Sequence, residues 1–132
     1  MKTIGVRNLK ATLSSVLRDV MRGDVYLVNL DPTVGSEIKK KRPAVIIQNN
    51  IGNQYSPTTI VAPITSGDQA IYPIEVEIKL PEGGLKNNSL VKLDQIRAVD
   101  KRRLIRHLGK VNEETIARID QAITISLGLI AI

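Results

Sequence analysis

From Asp24 to Val99 the chain is a succession of short strand-forming runs, each closed by a turn signal, and none carries the apolar spacing of a long helix. Asp24-Val25-Tyr26-Leu27-Val28-Asn29-Leu30 is rich in β-formers and stops at Asp31-Pro32. A loop from Thr33 to Lys41 follows, with Gly35 and three consecutive lysines. Arg42-Pro43 then opens Ala44-Val45-Ile46-Ile47, a continuous apolar run suited to burial on both faces. Asn49 to Asn53 reads as turn material. Thr58 to Thr65 predicts a strand whose later half is demoted to an edge or bulge by Pro63, which lacks an N–H. Ile74 to Leu80 alternates apolar and charged residues, as a strand with one wet face does, and Pro81-Glu82-Gly83-Gly84 breaks it. Ser89 to Val99 predicts one further strand, and Asp100 a cap for a short helical turn through Leu104.

Helical spacing appears only at the two ends. Val6, Leu9, Leu13, Val16, Leu17 and Val20 recur at the helical period behind Asn8, and the period changes at Met21-Arg22-Gly23. At the other end Asn112 is the expected N-cap, Glu113 and Glu114 complement the positive helix end, and Val111 and Ile116 stand at staple positions. Ile116, Ile119, Ile123 and Leu127 form the expected buried stripe, and Gly128 the stop. Five or more short, mostly antiparallel strands followed by a packing helix predict a mainly β (α+β) chain, built as a small barrel rather than a βαβ sheet. The seam predicts an N-terminal extension over 1–22 and a barrel over 23–132.

A chain of 132 residues, 42% hydrophobic and 24% charged, suits one soluble domain. No apolar run approaches the roughly 20 residues that span a bilayer, and the start lacks the apolar stretch of a secretion signal. Without cysteine there is no disulfide framework and no thiol nucleophile, and a reducing cytoplasm is the expected compartment. The net charge of +6 suits a polyanion such as nucleic acid. Four of those six charges lie in residues 1–22, where Lys2, Arg7, Lys10, Arg18 and Arg22 face only Asp19. Two further runs, Lys39-Lys40-Lys41-Arg42 and Lys101-Arg102-Arg103 with Arg106, are explained as well by a solvated surface as by a ligand.

Most familiar active sites are excluded by counting. The single histidine, His107, cannot supply the histidine pair of an acid–base ribonuclease and reads as an ordinary surface or partly buried residue. No histidine–carboxylate cluster has metal-ligand spacing, and no phosphate-binding or nucleophile-elbow motif occurs, so neither metal nor cofactor is expected. RNA would ease these demands, because its 2′-OH is a nucleophile already beside the scissile phosphate. The protein then has to align that hydroxyl, stabilise charge on the phosphoryl oxygens and help protons move. An arginine fork and a threonine hydroxyl are sufficient for the last two tasks, although every protein contains both.

Several ordered motifs resemble the MazF/PemK toxin family. They are Gly23-Asp24-Val25-Tyr26-Leu27-Val28-Asn29-Leu30-Asp31-Pro32, Gly35-Ser36-Glu37, and Arg42-Pro43-Ala44-Val45-Ile46-Ile47-Gln48-Asn49. Tyr55-Ser56-Pro57-Thr58, Val61-Ala62-Pro63-Ile64-Thr65, Leu93-Asp94-Gln95-Ile96-Arg97 and the ending Ile123 to Leu129 continue in register. The resemblance implies an SH3-like barrel of the MazF/CcdB type, a homodimer, and metal-independent, sequence-specific cleavage of single-stranded RNA to a cyclic phosphate and a 5′-hydroxyl. It implies a cognate antitoxin as partner and no membrane. It makes Arg42 the phosphate-stabilising residue, Thr65 its hydroxyl partner, and Ser36, Glu37, Asp94 and Gln95 contacts to RNA. Lys39, Lys40 and Lys41 depart from the small residues that often precede Arg-Pro in relatives.

Residues 1–17 resemble the start of a Phd/YefM antitoxin, over its first strand and helix only. Either a truncated antitoxin has fused to the toxin, or the start is Met21 and the extension reflects a gene boundary. DNA would then be reached only indirectly, through an antitoxin. Two other functions compete with RNA cleavage: a non-enzymatic CcdB-like poison that binds gyrase, and a regulatory DNA-binding module using the N-terminal segment.

Overall fold

The computed structural model describes residues 20–131. The helical stripe expected ahead of Val20, and with it the antitoxin-like segment, lies outside the described residues. Among those residues the strands are β1 (Asp24–Asn29), β2 (Lys41–Ile46), β3 (Thr58–Ser66), β4 (Glu75–Ile78), β5 (Ser89–Lys92), β6 (Arg97–Asp100) and β7 (Leu104–Lys110). Helix α1 (Asn50–Tyr55) lies between β2 and β3, a 3-10 turn (Lys101–Arg103) between β6 and β7, and α2 (Glu113–Ser126) at the end. All pairings are antiparallel, in the order β4-β5-β3-β2-β1-β7, with β6 also beside β3. The chain is mainly β with a C-terminal packing helix, as its patterning predicts.

The central strands are covered on both faces, which is why β2 reads as continuous apolar sequence. Tyr26, Val28, Ala44, Ile46 and Val61 share one core with Val20, Leu30, Val99 and Leu104. Val25, Val45, Ala62 and Ile64 face the other way, against Val76, Ile78, Val91 and Leu93 and against Ile119 and Ala122 of α2. Each fully buried aliphatic side chain of this kind contributes about 1.5–3 kcal/mol.

Three expectations are corrected and one strand was not expected. Pro63 is not on an edge: it lies opposite Ala44 of β2, between the last β6 partner of β3 (Val61↔Arg97) and the first β5 partner (Ile64↔Val91). There β3 exchanges one neighbour for another, so a residue without an N–H is tolerated mid-sheet. The expected strand Ser89 to Val99 is two strands, β5 and β6, separated by a turn over 93–96. The expected turn after Gln48 becomes α1, because the Asn49 side chain caps it by accepting from Gly52 N–H at 2.8 Å. Strand β7 follows the 3-10 turn without any strong apolar alternation, and two register shifts mark its pairing with β1.

Helix α2 begins as expected: Asn112 accepts from Thr115 N–H at 2.8 Å, and Glu113 and Glu114 occupy the first turn. Gly128, at φ 72°, ends it, and its N–H donates to Ile125 O at 3.0 Å. The buried face runs through Thr115, Ile119 and Ala122, with Ile116 and Ile123 partly covered. Leu127 departs from the expected stripe and is 54% exposed, because it is already the C-cap and no longer follows the helical rotation. Replacing Asn112 by Ala removes the only side-chain acceptor for that first turn and is expected to cost about 1 kcal/mol. A thermal melt should fall by about 4 °C.

Candidate functional site

The strand ends and two loops build an open groove of about 650 Å³, lined by Pro32, Ser36, Glu37, Ile38, Pro63, Asp94, Gln95, Ile96 and Arg97. Ser36 and Glu37 come from the loop between β1 and β2. Asp94 and Gln95 come from the turn between β5 and β6. All four expected RNA contacts therefore line one concavity, although 57 positions separate Ile38 from Gln95.

Hydrogen bonds fix the first loop at many points. Leu30 N–H donates to Lys40 O at 2.9 Å and Lys40 N–H to Asp31 Oδ1 at 3.0 Å, which closes its neck. Lys40 sits at φ 70°, the described non-glycine residue with a left-handed backbone, and turns the chain into β2. Arg97 Nη1 donates to Leu30 O at 2.9 Å, and Arg103 Nη1 to the carbonyls of Asn29 and Asp31. At the tip, Val34 N–H donates to Glu37 Oε1 at 2.6 Å, so one carboxylate oxygen of Glu37 maintains the turn. Ile38 N–H donates to Gln95 Oε1 at 2.8 Å, joining loop to turn.

Neither Arg42 nor Thr65 lines this groove. The β2–β3 ladder ends at Ala44↔Pro63. Continued by two residues, that register sets Arg42 across from Thr65. Alternation then places both on the face that carries Ala44 and Pro63, and Pro63 is part of the groove wall. Arg42 is exposed, with Nε donating to Lys39 O at 3.3 Å, and its guanidinium otherwise faces solvent. Thr65 is half-buried. An arginine fork and a hydroxyl at neighbouring strand ends, beside an open groove, can together hold an extended phosphodiester.

The remaining lining residues were not assigned from the sequence. Pro32, Ile38, Pro63 and Ile96 give the groove an apolar floor, and Arg97 adds a cation. Arg97 was detectable as one of two basic residues in the apolar run Ser89 to Val99, the other being Lys92. Lys92 instead pairs with the buried Glu75 on the neighbouring strand. His107, 50% exposed, stands 3.4 Å from Asp24 and edge-on to Tyr26, a surface contact on β7, the strand on the other side of β1 from Arg42. Among the described residues no three histidine or carboxylate groups converge as metal ligands, and no helix is long and apolar enough to cross a membrane.

Two carboxyls of the sheet are displaced toward ionisation. Burial pushes Glu75 up, but hydrogen bonds from Lys92 and Ile71 N–H, with the Lys92 charge, outweigh it and leave the carboxyl below 4.5. The Arg102 side chain and N–H bring Asp100 down to about 2 from 3.8. Both depressions mean the fold favours the charged form. Their stabilisation is complete above the ordinary carboxylate range and is lost as pH falls toward about 2. A melting midpoint that declines as pH falls from about 5 toward 2, with Glu75 contributing more than the exposed Asp100 pair, is the expected result, read by circular dichroism.

Comparison with known proteins gives this geometry its context. Residues 21–127 match the family model described as PemK-like, MazF-like toxin of type II toxin-antitoxin system. The chain belongs to that family. It is 46% identical over 112 residues to the endoribonuclease EndoA of Bacillus subtilis (strain 168), covering 84% of this chain and 97% of that protein. It is 49% identical over 111 residues to the endoribonuclease MazF of Staphylococcus epidermidis, covering 83% and 92% respectively. Among solved structures, a mycobacterial endoribonuclease in complex with its cognate antitoxin superposes with a TM-score of 0.71 at 26% identity. That match covers 85% of this chain and 98% of the other. MazF of Deinococcus radiodurans gives a TM-score of 0.71 at 25% identity, over 82% and 96%. The match begins at Met21, beside the seam in the sequence and one residue past the buried Val20.

Proposed function

We infer that this chain is the toxin of a type II toxin-antitoxin pair and an endoribonuclease that cuts single-stranded RNA without a metal. The toxin and its ribonuclease class follow from family membership and from two relatives of that name at nearly half identity. The mechanism rests on one observation above the others. Pro63, opposite Ala44 where the β2–β3 pairing ends, lines the groove, and the same register carried two residues further would bring Arg42 and Thr65 face to face.

In this reading the scissile phosphate lies over Arg42, whose guanidinium donates to the non-bridging oxygens and offsets the charge gained in the transition state. Thr65 donates to the same phosphate or orients the 2′-OH. The 2′ oxygen attacks phosphorus and gives up its proton to solvent, the P–O5′ bond breaks, and the 5′ oxygen takes a proton from solvent to leave as a hydroxyl, leaving a cyclic phosphate. Ser36, Glu37, Asp94 and Gln95 contact the flanking bases in the groove. The barrel is of the SH3-like MazF/CcdB type, acts as a cytoplasmic homodimer, and is held inactive by a cognate antitoxin. Residues 1–22 form an antitoxin-like extension to the barrel over 23–132. The gyrase-binding alternative has no observation in its favour, and the DNA-binding module depends on residues outside those described.

The dependence on the substrate's own nucleophile is testable. An oligonucleotide of a cleaved sequence, with a single 2′-deoxy sugar immediately 5′ of the scissile phosphate, should resist the enzyme completely. Cleavage at that linkage would show that the nucleophile comes from elsewhere.

A further inference from the structure

Glu75 is a buried carboxylate that the cleavage chemistry does not use, and it stands between two segments at the groove end of the sheet. One is the turn over 93–96, which carries Asp94 and Gln95 into the groove. The other is the strap over 67–74, which leaves β3 two residues past Thr65 and leads into β4. Strands β3 and β4 both run antiparallel to β5, so the strap has to cross from one end of β5 to the other. Apolar burial does not hold it there, since Ile71 is 60% and Tyr72 78% exposed. Carboxylates of β4 hold it instead. Ala70 N–H donates to Glu77 Oε2 at 3.2 Å, and Ile71 N–H to Glu75 Oε1 at 2.9 Å. Ile71 O accepts in turn from the N–H groups of Ile74 and Glu75, each at 3.0 Å.

The other oxygen of Glu75 receives Lys92 Nζ, from the residue directly opposite it on β5. Lys92 ends β5, and the groove-lining turn springs from it. Its carbonyl accepts from Gln95 N–H at 3.1 Å, inside the turn. Leu93, the next residue, is fully buried and donates its N–H to Ile74 O at 3.1 Å, at the end of the strap. One carboxylate therefore ties the strap to the strand end on which the turn is built. The Glu75 side chain is 2% exposed and that of Lys92 20%, so losing either partner leaves the other charge uncompensated.

We propose that Glu75 and Lys92 are positioning residues for RNA binding: their ion pair fixes the turn over 93–96 against the strap over 67–74, and so holds Asp94 and Gln95 where the RNA meets them. This rests on the ribonuclease reading given above, in which the turn contacts the RNA while Arg42 and Thr65 act on the scissile phosphate. Arg42 lies opposite Val28 and Thr65 opposite Leu90, in pairings that do not include the ion pair. The pair therefore acts on binding rather than on the rate at saturation.

Two variants test this. Glu75→Gln keeps an oxygen for Ile71 N–H but turns an amide donor toward the Lys92 ammonium, so the pair is lost. Glu75→Met combined with Lys92→Met removes both charges and leaves none buried alone. KM and kcat are measured on an oligonucleotide of a cleaved sequence, well below the melting temperature of each variant. Both variants should raise KM by about tenfold while kcat stays at the parent's order. Asn112→Ala is the control: it weakens α2 without touching the pair and should leave KM at the parent's value. Simple loss of folded protein lowers the apparent kcat at unchanged KM, so the split separates positioning from stability. A parent-like KM in both variants overturns the proposal, and so does an equal rise in Asn112→Ala. If Glu75→Gln fails to melt cooperatively, the double variant decides alone. RNA left intact by the wild type would instead overturn the ribonuclease reading, which separates the two failures.

Discussion

Arg42→Ala should lower single-turnover RNA cleavage by about 10²–10³ while leaving the melting temperature within a degree or so of the parent. Both halves follow from where the residue sits. Its backbone pairs with Val28 of β1, a contact that alanine keeps, and its side chain is exposed with one bond, to Lys39 O. Removing it therefore opens no cavity and strands no buried partner. In the proposed mechanism what is lost is the group that meets developing charge on the phosphoryl oxygens, and alanine offers nothing in its place. Arg42→Lys should recover part of the rate, since it restores the charge but not the planar fork. Equal loss in the lysine and alanine variants would mean that bidentate geometry, rather than charge, carries the effect. A variant at the full wild-type rate would remove Arg42 from the chemistry.

The second large effect is on stability. Gly84 lies against β7 at φ +69°, and a Cβ built on it would come within 1.9 Å of Leu108 O. The approach is mutual, since a Cβ on Gly109 would come within 2.6 Å of the Gly83 carbonyl carbon. The Pro81-Glu82-Gly83-Gly84 break is therefore also a backbone-to-backbone contact with the strand that pairs with β1. Alanine there pays about 1–2 kcal/mol for its left-handed backbone and must also push β7 away from the loop. A total above about 3 kcal/mol is expected in urea denaturation. Gly128→Ala is the control: at φ +72° with nothing within 4 Å, it should cost only the backbone part. Similar losses at the two positions would show that the close approach contributes nothing.

The elements legible from sequence are those whose local chemistry and tertiary role agree. Helix α2 carries its own cap, its acidic first turn and a helical apolar stripe, so its start was readable to the residue. Strands β1 and β2 were readable because burial on both faces writes a continuous apolar run. Strand β7 was not, because an edge strand with Arg106 and His107 exposed has no alternation and owes its extended state to pairing with β1. The turn between β5 and β6 contains neither glycine nor proline, so nothing local interrupts the extended pattern from Ser89 to Val99. Helix α1 depends on a polar network in which the buried Asn53 bonds to Gln48 and Thr59, partners set by the fold rather than the segment.

The site divides in the same way. Arg42, Thr65, Ser36, Glu37, Asp94 and Gln95 were reached through likeness to a family, since an isolated arginine or glutamine carries no signal of its own. The partners that hold them were out of reach. Arg97 and Arg103 donate to backbone carbonyls distant in sequence, and the Ile38 N–H donates to the Gln95 side chain; such long-range bonds leave no pattern along a sequence.

Incubation of the purified chain with a long single-stranded RNA in excess EDTA, followed by mapping of the new 5′-ends, tests the central claim most directly. Cleavage should persist in the chelator, fall at one short recurring motif, and leave 5′-hydroxyl and cyclic phosphate ends. RNA that stays intact in EDTA but is cut when a divalent cation is restored would contradict the account, as would products carrying 5′-phosphates.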